Sequence, residues 1–531
     1  MSKYFRVKIL MLKGEKGKKG DKGDAYIITE ADKQEIKEAL SGDISELKTD
    51  IDAEANERKE ADNAFKESLA SEKSARETAD STLQRNIENE VSARVNADDT
   101  LQRNIENEKS ARETADNAIN ESLESHDTRL NALESLVRVN KIYGFHLDNN
   151  ESDPDAKITY LEDAVGAVPA KMDYTSGAFD YGSWMNAFFM PRPCMVKYSG
   201  EVDYYLNPDN YAQKEDGTES DVANEAYEGN AMMEWGRDGK KIWMKIVPDE
   251  TGASVYFSDV QVDSTYNAYA FYNKNNVLMD HFYTPIYNGY KDASGKMRSI
   301  SGKAISNSLS GTSEITACTA NGDGWYTETI VDRMLINMLL ILISKSTSTQ
   351  SVFGQGMTSG GESAMKAYRT GSLDGNGMFF GYNATDKAVK VFGMENYWGC
   401  QWRRHAGLIQ KGGKAYYKLT RGTEDGSTAT DFNTDGTGYI EHSGTLLGTS
   451  GQWQSTQAFD TNLMIPSGGG ASDSTHMCDH YWVNTGITTY ALLGGSSGDG
   501  SVCGAFSLAL NIDVSVATWN RGCAPSLKPL A

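Results

Sequence analysis

The first 140 residues contain no tryptophan, no proline and no cysteine, and the remaining 391 hold all nine Trp and all ten Pro. A chain so divided reads as a rod followed by a globule. Basic excess is missing as well. Against 52 Lys and Arg stand 74 Asp and Glu, for a net charge of −22. That excludes a nucleic-acid binder, which needs a basic face to displace counterions from phosphates, and suits a soluble particle that must not adhere indiscriminately. No C-x-x-C spacing occurs among Cys194, Cys318, Cys400, Cys478, Cys503 and Cys523, which read as ordinary thiols rather than a disulfide framework or zinc cage. No apolar run approaches the roughly 20 residues needed to span a bilayer. The most apolar stretch, Met334 to Ile343, is expected as a buried core element. The basic, apolar start, Met1 to Leu12, is too short for a signal peptide with a cleavage site, and the lack of export and membrane signals fits assembly inside a cell. There is also no G-x-S-x-G and no Walker loop.

What is present begins with Gly14, Gly17, Gly20 and Gly23, spaced by three. That period is collagen-like, since only glycine fits at the axis of a triple helix. A flexible charged linker is the other reading of these triplets. From Ala31 to Val139, Gly42 is the only glycine, and an 18-residue repeat begins at Glu57, Ala75, Ala93 and Ala111. Leu83 to Glu90 recurs as Leu101 to Glu108. Eighteen residues are five turns at about 3.6 residues each, so each repeat returns to the same helix face. The seam is Ala75, Ala79, Leu83 and Ile87, with equivalents Ala61, Phe65 and Leu69, then Ala97, Leu101 and Ile105, then Ala115, Ile119 and Leu123. Leu123, Leu130, Leu133 and Val137 revert to a heptad-like spacing. One helix with a single narrow apolar stripe is not stable alone over this length, so the reading requires pairing with copies of itself, in two or three strands.

After Asn140 the texture becomes alternating and aromatic. Ile242 to Ile246, Ser254 to Phe257 and Ala415 to Leu419 read as strands. Turns are expected at Asp425–Ser427 and Asn433–Gly438, and one buried helix near Ile330 to Ile343. The expected fold is thus an elongated α-helical coiled-coil stalk followed by an α+β head. His476 and His480, four apart with Cys478 between, would face one way on a helix and could hold zinc. No Glu follows the first His and no third ligand is evident, which favours a structural reading. Asp216 to Asp221 is acidic but lacks the spacing of an EF-hand loop.

Two stretches carry a resemblance. Val391-Phe-Gly-Met-Glu-Asn-Tyr-Trp-Gly-Cys-Gln-Trp402 is similar to the "GxEDFWGNxWEW" signature of the variable proteins of diversity-generating retroelements, with Asn396 and Tyr397 for Asp-Phe and Cys400 for Asn. Ala491 to Phe506, followed by Trp519 to Gly522 and Ser526 to Pro529, resembles that family's C-terminal "GG…GxxxGAF…L…G…R" frame. The head's opening, Tyr143 to Asp148 and Tyr160 to Gly166, resembles heads of phage proteins of this kind. The resemblance implies a phage tail fibre whose head has the C-type lectin fold of the formylglycine-generating-enzyme type, on a stalk for which three strands are favoured. It implies an N-terminal attachment segment (1–25), a stalk (26–140), an opening head subdomain (141–225) and a receptor-binding domain (226–531), variable over about 478–527.

Within that frame Leu492, Leu493, Ala505, Phe506, Leu508, Leu510, Trp519 and Leu527 read as core anchors, and Gly494, Gly495, Gly498, Gly500 and Gly504 as turn positions. The scaffold implied is Glu395, Trp398, Trp402, Gly494, Gly495, Phe506 and Trp519. Receptor contacts are expected from Ser496, Ser497, Asp499, Ser501, Val502, Cys503, Ser507, Ala509, Asn511, Ile512, Asp513, Ser515, Ala517, Thr518, Asn520 and Arg521. Such elements mutate adenines, largely in Asn codons that cannot become Glu, Lys, Gln, Met or Trp. Cys478 to Leu527 contains none of the first four, and its only Trp are Trp482 and Trp519. Glu395, with His405 nearby, belongs in that family to internal bonding. The enzyme's reactive cysteine pair is not matched by Cys503 and Cys523, so no catalytic residue, metal or other cofactor is expected. Expected partners are two further copies, a bacterial surface protein or glycan, and baseplate or tail proteins at the N-terminus, with no nucleic acid and no membrane insertion. The expected location is the virion's tail tip. The alternatives are a tail-spike enzyme degrading surface polysaccharide, which would need two carboxylates about 5–9.5 Å apart, and a bacterial surface adhesin, which would need an export or anchor signal.

Overall fold

A stretch rich in Ala, Glu, Lys and Arg, without proline and with one glycine, has little to oppose helix formation. In a computed structural model, which describes residues 30–88, 101–120, 122, 141–419, 436–446, 451–487 and 489–530, that stretch forms helix α1 (Glu30–Glu88) and a second helix, α2 (101–120). The described residues up to 122 belong to one compact unit and those from 141 to another.

The expected elongated coiled-coil stalk is not formed. Instead α1 and α2 run antiparallel within one chain. The Ser68 hydroxyl donates to the Ala111 carbonyl at 3.1 Å, the Arg112 Nε lies 2.6 Å from Glu72, and Arg76 pairs with Glu108. The physical reason lies in the repeat itself. Glu72-Lys-Ser-Ala-Arg76 recurs as Glu108-Lys-Ser-Ala-Arg112. Two antiparallel copies of this pentapeptide are self-complementary, so the Glu of each meets the Arg of the other. Ala79 and Ala115, both on the expected seam, are buried. The stripe is thus partly covered inside the chain, while Leu69 and Ile105 of the same seam stay exposed. The ion pairs themselves are modest, about 1 kcal/mol or less each, because their arginines remain largely in water. The Gly-X-Y run, the first part of the repeat copy beginning at Ala93 and the seam residues Leu123 to Val137 lie outside the described residues.

The second unit is mainly β-sheet, and this corrects the expected α+β, C-type-lectin-like head. Alternating, β-branched and aromatic segments dominate after residue 140, and only one apolar run is long enough for a substantial helix. A four-stranded antiparallel sheet orders Ile158–Glu162, Ile142–Asp148, Gly252–Ser258 and Trp243–Pro248. A seven-stranded sheet is ordered Trp325–Thr327, Pro525–Leu527, Phe282–Pro285, Gly229–Trp235, Arg192–Lys197, Val202–Asn207 and Asn210–Lys214. The largest sheet has nine strands and is built around Trp402–Lys411. Two of the anticipated strands appear near their expected places, Trp243–Pro248 and Gly252–Ser258, and the third as Lys414–Tyr417. Residues 420–435, which include most of the anticipated turns, lie outside the described residues.

The helices of this unit are α3 (Gly311–Thr319), α4 (Ile330–Ser344), α5 (Thr349–Phe353) and α6 (Gly361–Ala367). Helix α4 is the apolar run, and all of it except Val331 is buried. Its N-cap Thr329 accepts from the Asp332 amide, and Lys345, at φ 54°, ends it in a left-handed turn. Among the described residues no helix is long and apolar enough to cross a membrane.

If α1 and α2 pair within the chain, cysteines replacing Ser68 and Ala111 should cross-link on oxidation to a species that runs as a single chain on a non-reducing gel. A cross-linked dimer or trimer would show pairing between chains instead.

Candidate functional site

The C-terminal segment is held from beneath by polar groups that the fold has removed from water. Buried polar atoms are costly unless bonded, so each such bond fixes backbone. From α4, Arg333 and Asn337, one helical turn apart, both donate to the Ala505 carbonyl, at 3.2 and 2.8 Å. The Ala505 amide donates to the Thr349 hydroxyl at 3.2 Å, and the Phe506 amide to the Asp479 carboxylate at 2.6 Å. Asp479 is buried, which pushes its carboxyl well above the usual range against the pull of the Phe506 and Ser507 amides and of Arg333. Gly504 is required here by space, since a Cβ would lie 1.8 Å from an Asp479 oxygen. At Gly495, φ is +81° and a Cβ would meet the Cys503 sulfur at 2.3 Å.

A second anchor lies on the central strand. Arg403 and Arg404 are adjacent on Trp402–Lys411 and point to opposite faces. Arg403 donates to both Glu328 oxygens, at 3.2 and 3.1 Å. Arg404 lies 2.7 Å from Glu314 of α3, and its Nη2 donates to the Val516 carbonyl at 2.5 Å. All four of these charged side chains are 4% exposed or less. Burial pushes the Glu314 carboxyl up to about 7, while Arg404 draws it down. His405 on this strand is held well below its ordinary value by burial and by Arg333 and Arg403, so it is neutral.

The sixteen anticipated contact residues divide by exposure. Ser501, Asp513, Ser515 and Ala517 are exposed, and Asp499, Val502, Asn511, Ile512, Thr518, Asn520 and Arg521 are half-buried. Ser496, Ser497, Cys503, Ser507 and Ala509 are buried, so direct contact with a macromolecule is closed to them. The small polar residues face inward because they bond locally. Ser496 donates to Asp499 at 2.5 Å, Ser497 to the Gly361 carbonyl at 2.8 Å, and Ser507 to the Val502 carbonyl. Around the exposed group the backbone is tied at Val514 to Gly311, at Thr518 to Ser308 and at Asn520 to Trp402. Asp513 caps its own turn, accepting from the Ser515 amide and hydroxyl at 2.8 and 2.6 Å, bonds that hold its carboxyl below the usual range.

The scaffold residues fall beneath this surface. Glu395 is fully enclosed and accepts from the Gly371 and Leu373 amides at 2.9 and 2.7 Å and from Tyr368. Trp398, Trp402, Gly494, Gly495 and Phe506 are buried, and Trp519 is half-buried over Gly498. His476 and His480 do not share a helix, since His476 lies in a turn and His480 opens a strand. No group of three or more His, Cys, Asp or Glu side chains converges as metal ligands among the described residues. Asp216 closes a tight turn onto Thr218.

Sequence reasoning missed an aromatic row. Register pairs Trp453 with His480, Trp482 with Ala509, Ala509 with Leu492 and Leu492 with Arg404. These residues therefore share one face of the nine-stranded sheet with Trp402, while Tyr481, Leu508, Leu493 and Arg403 face the other way. Trp402 and Trp482 meet edge to face at 5.4 Å, Trp482 and His480 lie 4.3 Å apart, and His480 and Trp453 lie 5.4 Å apart. Trp453, Trp482 and Ile512 remain half-buried beside the exposed segment. The available signal was the two-residue alternation in His480-Tyr-Trp-Val483, which places Trp482 opposite the core-facing tyrosine.

No protein-family model matches the sequence, and no curated protein matches it.

Glu395 provides a test of this buried scaffold. Burial raises its carboxyl to about 7, from an ordinary 4.5. A raised carboxyl favours folding fully below pH ~4.5, and that advantage is lost as pH rises through ~7. Between those limits wild type should lose up to about 3 kcal/mol relative to Glu395→Gln, at about 1.4 kcal/mol per unit. Denaturant unfolding of both proteins across that pH range checks this, and parallel profiles would refute it.

Proposed function

We propose that the chain is a non-enzymatic receptor-binding protein of a phage tail, which attaches the particle to its bacterial host through the outward side of residues 499–521. The observation that carries this reading is a division of labour within one segment. Its backbone is bonded to buried side chains and neighbouring strands, while Ser501, Asp513, Ser515 and Ala517 point into solvent. A rigid frame presenting replaceable side chains is how binding loops combine specificity with a conserved fold. The lack of Glu, Lys, Gln and Met from Cys478 to Leu527 supports the same reading through the resemblance to retroelement-diversified proteins. The half-buried Trp482 and Ile512 would supply apolar contact at the centre, and the exposed polar residues the rim.

The enzymatic alternative is less well served. The carboxyls most shifted toward acid–base chemistry at neutral pH, Glu314, Glu395 and Asp479, are each 1% exposed or less. A polysaccharide cannot reach them.

The test uses the labelled full-length chain and intact cells of a bacterium that it coats. Ser501→Arg combined with Ala517→Arg should weaken coating at least tenfold, with no change in melting temperature. Unchanged coating would place the contact elsewhere, and release of oligosaccharides from purified surface polysaccharide would overturn the non-enzymatic assignment.

A further inference from the structure

We propose that Cys318 and Cys523 form a redox modification site, at which the folded protein closes an internal disulfide when it meets an oxidising small-molecule disulfide. Their sulfurs are 3.5 Å apart, although the residues are 205 positions apart in sequence. All six cysteines are free, and this is the one thiol pair in contact among the described residues. A disulfide needs a sulfur separation of about 2.05 Å, so closure requires the two sulfurs to move about 1.5 Å closer.

Both backbones are fixed, which makes the proximity a property of the fold. Cys318 sits near the end of α3, and its carbonyl accepts from the Asn321 side chain at 2.9 Å. That side chain also donates to the Met297 carbonyl at 2.7 Å. The Cys523 carbonyl accepts from the Gly289 amide at 3.0 Å. There a Cβ on residue 289 would lie 2.3 Å from the same oxygen, so glycine is what lets the two segments approach. Met297 and Ala317 complete an apolar lining.

The reaction balances as thiol–disulfide exchange. One cysteine thiolate attacks the reagent's S–S bond and releases one reagent thiol. The second cysteine attacks the mixed disulfide and releases the other. The two protein hydrogens leave on the two reagent thiols, so the protein is oxidised and the reagent reduced. Burial holds the Cys523 thiol well above its ordinary value, and closure is accordingly slow and follows local opening.

The bond would tie α3 to the end of the proposed contact segment. Helix α3 already carries Glu314, the partner of Arg404. A cross-link there constrains the segment at its C-terminal end without touching its outward side chains.

The full-length chain is incubated under native conditions with oxidised glutathione, then acid-quenched, unfolded, alkylated and digested. The expected result is a cross-linked peptide pair containing Cys318 and Cys523, short of two hydrogens, with the other four cysteines alkylated. Its melting temperature should rise by several degrees, revert with dithiothreitol and stay constant in Cys318→Ser. Full alkylation of all six thiols, glutathione adducts without the cross-link, or a bond to a different cysteine would each overturn the proposal. The peptide map of the wild type decides even if the serine variant fails to fold.

Discussion

The second unit's candidate surface depends on one buried ion pair. Arg404 leaves the central strand of the nine-stranded sheet, meets Glu314 of α3 at 2.7 Å and donates to the Val516 carbonyl at 2.5 Å. Strand, helix and contact segment are thereby joined through a single guanidinium. Taking two charges out of water is expensive and is repaid only when geometry and further hydrogen bonds are good. Such a pair contributes little net stability over an apolar replacement. Removing one partner is a different matter, because the other is left charged and dry, at a cost of about 3–5 kcal/mol. The pair therefore ties α3 and residues 511–519 to the sheet more than it adds to stability.

The same logic recurs on the opposite face of the sheet, where Arg403 meets Glu328 and Arg333 reaches the Ala505 carbonyl. Three buried arginines and four buried carboxyls, Glu314, Glu328, Glu395 and Asp479, together organise the loops around the sheet. This arrangement is what supports the attachment function proposed above. Fixing the backbone from below leaves outward side chains such as Ser501 and Ala517 able to change without loss of fold, although Asp513 still caps its own turn. A loop held only by its own side chains would not have that freedom.

Much of this was legible in the sequence, and the failures have physical causes. Helix α4 was readable because Met334 to Ile343 is apolar on every side except at Asn337, as a buried helix requires. The core anchors Leu492, Phe506, Leu508 and Leu527 were readable from residue type alone. The pairing of α1 with α2 was not. A single apolar stripe shows that a partner is needed, but it does not say whether that partner is another chain or a later copy of the same repeat. The decisive feature, Glu72 and Arg76 set against Arg112 and Glu108, becomes visible only once direction is known. Ser496, Ser497 and Ser507 were misplaced because short polar residues in a glycine-rich stretch read as solvent-facing, whereas these bond to neighbouring backbone and carboxylate and turn inward. The aromatic row was hidden because Trp402, His480 and Trp482 come from distant stretches, and only strand register brings them to one face.

The central claim is that Arg404 holds the contact segment in place, and hydrogen exchange on Arg404→Met tests it most directly. Methionine keeps much of the side chain's length and removes its charge and its bond to Val516. The account predicts faster exchange confined to residues 308–319 and 511–519, with the Ile142–Asp148 and Gly252–Ser258 strands unchanged. Unaltered protection at 511–519 would contradict it, as would a uniform increase throughout the unit.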